Sequence, residues 1–258
     1  MVSKVAAAAL LALPALTLGG AIPREEASIL IVGGSPASAG QFPYIVTVTT
    51  DSTICGGVLI GANTVLTASH CTFNQDGSQT SPSVYTIRAG SLQWQSGGTT
   101  SKVSSITRRS DYNPDTTDND VAILHLSSAI AESSNIGYAT LAAAGSDPSG
   151  SITVAGWGLT SENGSLSASL RYVSVPVIDR AECAADYSGI NAITDNMFCA
   201  GLQQGGKDSC SGDSGGPVMA EDGSLAGVVS WGVGCARAGY PGVYTRLANY
   251  IDWINQNI

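Results

Sequence analysis

Three residues in this sequence could together make and use a nucleophile: Ser214, His70 and Asp120. Ser214 lies within Gly212-Asp213-Ser214-Gly215-Gly216-Pro217. A serine hydroxyl attacks a carbonyl only when a base removes its proton and donors stabilise the oxyanion that forms. Flanking glycines let the backbone turn sharply and bring its N–H groups toward the reacting carbonyl. Taken alone, the segment also fits a Gly/Ser-rich surface turn. Histidine is the natural base near neutral pH, and the chain has 2 of them. His70, in Thr67-Ala68-Ser69-His70-Cys71, directly follows an apolar strand. His125, inside Val121-Ala122-Ile123-Leu124-His125-Leu126, reads as an ordinary strand side chain and is given no role. A third group must orient the imidazole and stabilise its charged form. Asp120 is the last acid before the Val121–Leu126 strand, where a carboxylate can become buried, although a lone acid there equally fits a turn.

The elements that must position these residues are short and β-rich, separated by turn clusters. Runs at Tyr44–Thr50, Val65–Ala68, Tyr85–Ala89, Val121–Leu126, Ile152–Ala155, Leu170–Val177 and Leu225–Trp231 recur without helical periodicity, which predicts an all-β sandwich or barrel. Helix is expected only near Arg180–Tyr187 and at Tyr250–Ile258. Gly158–Ser165 reads as a polar loop. It carries the N-glycosylation sequon Asn163-Gly164-Ser165.

With 43% hydrophobic and 12% charged residues, the 258-residue chain is a globular one that can bury a sizeable core. Its 31 glycines suit many tight turns. A formal net charge of −9 argues against nucleic acid or anionic membrane surfaces as partners. Lys4, the apolar run Val5–Leu18 and the small residues Gly19, Gly20 and Ala21 read as a secretory signal peptide over residues 1–21, cut near Ala21. A membrane anchor is the alternative, but the run is shorter than the ~20 residues a spanning helix needs. A short stretch over residues 22–30 then precedes the β-rich part of the chain, residues 31–258. Cys55, Cys71, Cys183, Cys199, Cys210 and Cys235 make an even count in an exported chain, which predicts three disulfides whose pairing spacing cannot choose. Zinc is a poor alternative, because no CxxC pair accompanies the two histidines. No metal or cofactor is expected.

Ile31-Val32-Gly33-Gly34, the Thr-Ala-Ser-His-Cys segment, Asp120-Val121-Ala122, Gly156-Trp157-Gly158, the Gly-Asp-Ser-Gly-Gly-Pro segment and Ser230-Trp231-Gly232 occur in an order that resembles the chymotrypsin-fold serine proteases. The likeness covers Ile31–Ile258 and is strongest to trypsins, among those the secreted fungal ones. It implies two six-stranded antiparallel β-barrels with a C-terminal helix and the active site between them. It implies Ser214 as nucleophile, His70 as general base and acid, Asp120 as its orienting partner, and the N–H groups of Gly212 and Ser214 as the oxyanion hole. It also implies the disulfides Cys55–Cys71, Cys183–Cys199 and Cys210–Cys235.

By the same resemblance Asp208 forms the base of the specificity pocket, with Ser209, Ser230, Gly232 and Gly242 lining it, and the substrates are proteins or peptides with Arg or Lys. The resemblance also makes residues 22–30 a short propeptide and residues 31–258 a trypsin-like peptidase domain: cleavage before Ile31 frees an ammonium group that pairs with Asp213. Leu30, not a basic residue, precedes Ile31, so a separate activating protease, or trimming by an aminopeptidase, is expected. The stretch Gly77–Ser110 spans the family's calcium-binding loop and contains no Asp or Glu, so no calcium site is expected there. Pro241 in place of an aromatic disfavours sodium-linked regulation, and Ser211 stands where many trypsins have Gln. The expected partners are substrates, protein protease inhibitors and that activating protease, and the expected state is a secreted monomer. Three rivals are weaker. A binding protein on this scaffold would lack a triad residue, chymotrypsin- or elastase-like selectivity is opposed by Asp208, and an esterase with a nucleophile elbow orders its triad differently.

Overall fold

The computed structural model describes Met1 and residues 31–74 and 76–258. The expected signal peptide and propeptide lie outside the described residues. A two-residue strand, β1 (Ser35–Pro36), precedes a first group of six: β2 (Ile45–Thr49), β3 (Ile54–Gly61), β4 (Thr64–Thr67), β5 (Thr86–Ala89), β6 (Thr99–Arg108) and β7 (Ala122–Leu126). The second group is β8 (Ser151–Gly156), β9 (Arg171–Ile178), β10 (Met197–Ala200), β11 (Pro217–Ala220), β12 (Leu225–Trp231) and β13 (Gly242–Arg246). The first closes in the order β2-β3-β4-β7-β6-β5. The second runs β9-β10-β13-β12-β11-β8 and closes through the β8–β9 pairing, with β1 added on β9. Every pairing between these strands is antiparallel, and closure removes the exposed edges that invite aggregation. The two barrels expected from the resemblance are therefore the fold of this chain.

Alternation along the strands decides what fills each barrel. In β9, Arg171, Val173 and Val175 are buried while Ser174 and Pro176 face out, the period of two that a half-buried strand requires. Val46, Val48, Leu59, Val65, Ile87 and Leu124 pack inside the first barrel. Ile152, Val154, Val173, Phe198, Val218 and Tyr244 do so in the second. Between them lies a third apolar layer, in which Val58, Leu66, Val121 and Ile123 meet Met219, Leu225, Val228 and Leu247. This layer fixes one barrel against the other, and with it every distance across the cleft.

Two short helices occupy the stretches expected from the sequence: α1 (Arg180–Asp186) and α2 (Ile251–Gln256). The Asp179 side chain caps α1 by accepting from the backbone N–H groups of Ala181 and Glu182. Ile254 of α2 packs into the inter-barrel layer. Disulfides join Cys55 to Cys71, Cys183 to Cys199 and Cys210 to Cys235. Each closes a short loop, and a bridge of this kind typically contributes about 2–4 kcal/mol. Among the described residues no helix is long and apolar enough to cross a membrane.

Candidate active site

His70 is held by the end of β4. A single 3-10 turn, Ser69–Thr72, follows that strand, and the Cys55–Cys71 bridge ties it back to β3. The Ser69 hydroxyl donates to the Val121 carbonyl at 2.8 Å, locking the turn onto the segment that carries Asp120. Asp120 is buried. One of its oxygens, Oδ2, lies 2.8 Å from His70 Nδ1 and accepts the Ser230 hydroxyl at 2.6 Å. The other, Oδ1, accepts the His70 backbone N–H at 2.9 Å. Its carbonyl accepts from the Thr245 hydroxyl at 2.8 Å. Burial alone would push this carboxyl up, but the His70 charge and these hydrogen bonds outweigh it and hold Asp120 below the ordinary carboxylate range. For His70, burial disfavours the imidazolium, yet the charge and hydrogen bond of Asp120 prevail and raise it above its usual value. The His70 side chain keeps 31% of its surface exposed, enough to face a ligand.

Ser214 arrives from the second barrel, on the turn before β11. The Gly56 N–H donates to the Ser214 carbonyl at 2.8 Å, one residue from the Cys55–Cys71 bridge. Next to it, a Cβ on Gly215 (φ +76°) would fall 2.8 Å from the Ala68 nitrogen and collide with the Thr67 hydroxyl. This glycine is what allows the serine turn to press against the end of β4, three residues before His70. Among the described residues no hydrogen bond joins the Ser214 hydroxyl to His70, a contact that often tightens only with substrate. The N–H groups of Asp213, Gly215 and Gly216 donate to carbonyls, whereas those of Gly212 and Ser214 have no such acceptor among the described residues. Two free donors flanking a serine are what an oxyanion site requires. Gly212 has φ +99°, and a Cβ there would meet Leu166 at 2.7 Å.

One cavity of about 210 Å³ contains Asp208, Ser209, Ser214, Ser230, Gly232 and Gly242 in its lining. Asp208 is buried and accepts the Ala236 N–H on Oδ2 at 2.9 Å, while the Ser209 hydroxyl stands 3.5 Å from Oδ1. Burial without a cation pushes Asp208 up to about 7. A side chain at 242 would start 2.7 Å from Asp208 Oδ1, so glycine there keeps the carboxylate reachable. At Gly232 the nearest atoms to an added Cβ are 3.9 Å away, and glycine widens the cavity wall. Such a site is shaped for a long, slender, cationic group.

Asp213 is also fully buried, accepting N–H groups from Gly158 at 2.7 Å and Cys210 at 2.9 Å. Burial raises it to about 6, and among the described residues it has no ion-pair partner. Ile31 is buried in the second barrel with φ +33°, and the neighbouring Val32 carbonyl accepts the Asp208 N–H at 3.1 Å. The segment that would gain a new terminus thus already touches the cavity base. Asn163 is exposed in its turn. Cys55, Cys71 and His70 lie close together, but the disulfide occupies both sulfurs, so they do not form a metal site.

Ser230 lines the cavity as expected, but its hydroxyl is also committed to Asp120, a role that the sequence did not announce. Thr245 and Ala236 carried no signal at all, since one acts through a common hydroxyl and the other through its backbone.

A family model described as Trypsin matches residues 31–254. The chain is 48% identical to Trypsin Blo t 3 of Blomia tropicalis, over 87% of this chain and 84% of that protein. It is 42% identical to Trypsin-1 of Astacus astacus, over 88% and 99% respectively. It is likewise 42% identical to the Vitellin-degrading protease of Bombyx mori, over 89% and 86%.

Proposed function

The chain belongs to the trypsin family and is a trypsin-like serine endopeptidase, and on that premise we propose that it cleaves peptide bonds after arginine or lysine through Ser214, His70 and Asp120. The catalytic sequence is the family's established one, carried over residue by residue. Ser214 attacks the scissile carbonyl while His70 Nε2 takes its proton. The N–H groups of Gly212 and Ser214 hold the oxyanion. His70 then gives the proton to the leaving amine, which departs and leaves an ester on Ser214. Water, deprotonated by His70, attacks that ester, and collapse of the second tetrahedral intermediate releases the acid and restores the Ser214 hydroxyl. Asp120 keeps the proton on Nδ1 and stabilises the imidazolium.

The observation that carries this reading is the cavity shared by Asp208 and Ser214. A buried carboxylate at its base rewards a guanidinium or ammonium group and is left unpaired by any neutral side chain. Gly232 and Gly242 leave the passage open, and Ser209 adds a hydroxyl near the cation.

In the precursor Asp213 lacks a counter-charge. Cleavage of the Leu30–Ile31 bond supplies one as the Ile31 ammonium, which orders the oxyanion donors and the pocket. Leu30 does not fit the pocket described above, so a separate protease makes that cut. The signal peptide over residues 1–21 directs the chain outside the cell, where it works as a monomer on protein substrates and meets protein inhibitors.

Chromogenic peptides ending in Arg, Lys, Phe or Ala test the proposal when given to the chain processed to Ile31 and to its Ser214→Ala variant. Turnover of the Arg and Lys peptides alone, abolished in the variant, is expected. Turnover of Phe or Ala peptides would overturn the pocket assignment, and activity surviving in Ser214→Ala would overturn the nucleophile.

A further inference from the structure

Two loops of the second barrel are joined beside the cavity by an ion pair. Arg237 Nε donates to Glu162 Oε2 at 2.9 Å, and Arg237 Nη2 donates to Glu162 Oε1. The pair is bidentate, the geometry that fixes two planar groups relative to each other. Glu162 lies in the loop that follows Trp157, where the Leu159 N–H donates to the Ser211 carbonyl and Leu166 covers Gly212. The Arg237 side chain folds back over Gly234, where an added Cβ would collide with it.

Immediately before Arg237 stands Ala236, at φ +56°. That left-handed conformation is unfavourable for a residue with a Cβ and persists only where the surroundings impose it. Ala236 is also the residue whose N–H reaches Asp208 Oδ2. On one side, the Cys210–Cys235 bridge holds the preceding residue, and the Gly206 N–H donates to the Ala236 carbonyl at 2.9 Å. On the other side, the Tyr240 N–H donates to the Arg237 carbonyl at 3.2 Å and the Gly239 N–H to the Gln203 carbonyl at 3.0 Å, and the Arg237 side chain itself is held by Glu162.

We propose that Glu162 and Arg237 are positioning residues for substrate selection: their pair keeps Ala236 left-handed and thereby keeps its N–H on the Asp208 carboxylate. Neither touches the substrate. The inference rests on Asp208 being the acceptor of the substrate cation. When the pair is lost, residues 235–237 relax, Asp208 loses a donor that favours its charged form, and cations bind less tightly. His70 and Asp120 are held by separate contacts in the first barrel and on β12 and β13, and the Leu159 and Leu166 contacts at Ser211 and Gly212 are secured by the Leu159–Leu166 bridge and not by the ion pair, so the chemical step is untouched. The two side chains are 51% and 35% exposed, and a pair this open contributes modestly.

The test is a double-mutant cycle on the chain processed to Ile31: wild type, Glu162→Gln, Arg237→Gln and the double variant. It is read by KM and kcat on an Arg peptide and by the Kd of benzamidine. Each single variant is expected to raise KM and the benzamidine Kd about three- to fivefold with kcat unchanged, and the double variant to lose no more than either single one. Wild-type turnover of the Arg peptide carries the underlying reading in the same experiment. Against an active wild type, an unchanged KM, an equal fall in kcat, or additive losses in the double variant would overturn the coupling and leave Asp208 in place.

Discussion

Two buried carboxyls in this molecule move in opposite directions, and the reason is local. Asp120 has an imidazole and a hydroxyl converging on it, so its charged form is favoured despite burial. Asp208 has backbone donors and a serine hydroxyl but no cation, so burial wins and raises it to about 7. The sign for ligand binding follows. Asp208 must be ionised to attract a cation, and it takes up a proton as the pH falls through about 7. Binding of benzamidine should therefore weaken about tenfold between pH 8 and pH 6, as calorimetry on the Ser214→Ala variant would measure. A Kd that stays flat over that range would show that Asp208 keeps an ordinary carboxylate's behaviour. Of these groups, Ser214, His70, Asp120 and Asp208 stood out in the sequence because their motifs are compact and the proposed chemistry calls for those side chains. Ala236 was not, because a backbone N–H has no residue-type signature and its position depends on a contact with residue 162.

At the scale of the elements, the site depends on how closely the turn before β11 approaches the end of β4. Gly215 and Gly56 sit where the two barrels touch, and the Thr67 hydroxyl bridges to the Gly56 carbonyl at 2.9 Å. Gly215→Ala would place a methyl group into that hydroxyl at a positive φ. A loss of stability of about 3 kcal/mol or more is expected, with peptide turnover abolished even where the fold survives. Gly189→Ala supplies the comparison. Its φ is +78° but nothing lies within 4 Å of the added atom, so only the backbone penalty of about 1–2 kcal/mol applies and activity persists. Thermal unfolding and peptide hydrolysis of the two variants separate crowding from strain, and equal behaviour would contradict the close-approach argument. The runs named from the sequence fall on β2, β4, β5, β7, β8, β9 and β12. They leave out β3, interrupted by glycines, β6, rich in Ser and Thr, and the short β1, β10, β11 and β13, where apolar alternation is too brief or too broken to follow.

For the molecule as a whole, the inter-barrel layer makes one catalytic unit from two folding units. His70 and Asp120 belong to the first barrel, and Ser214, Ser230 and Asp208 to the second. Val58, Leu66 and Ile123 packed on Met219, Leu225 and Val228 hold the halves in register. Asp213 is buried and raised to about 6 with no cation beside it among the described residues, and the proposed terminus at Ile31 would supply its counter-charge. These two features meet in one measurement: mass-spectrometric mapping of every peptide released from an unfolded protein by the intact precursor and by the chain processed to Ile31. The processed chain is expected to generate new C-termini at Arg and Lys alone, and the precursor none. C-termini at Phe, Leu or Ala, or equal cleavage by the precursor, would overturn the assigned pocket or the need for processing.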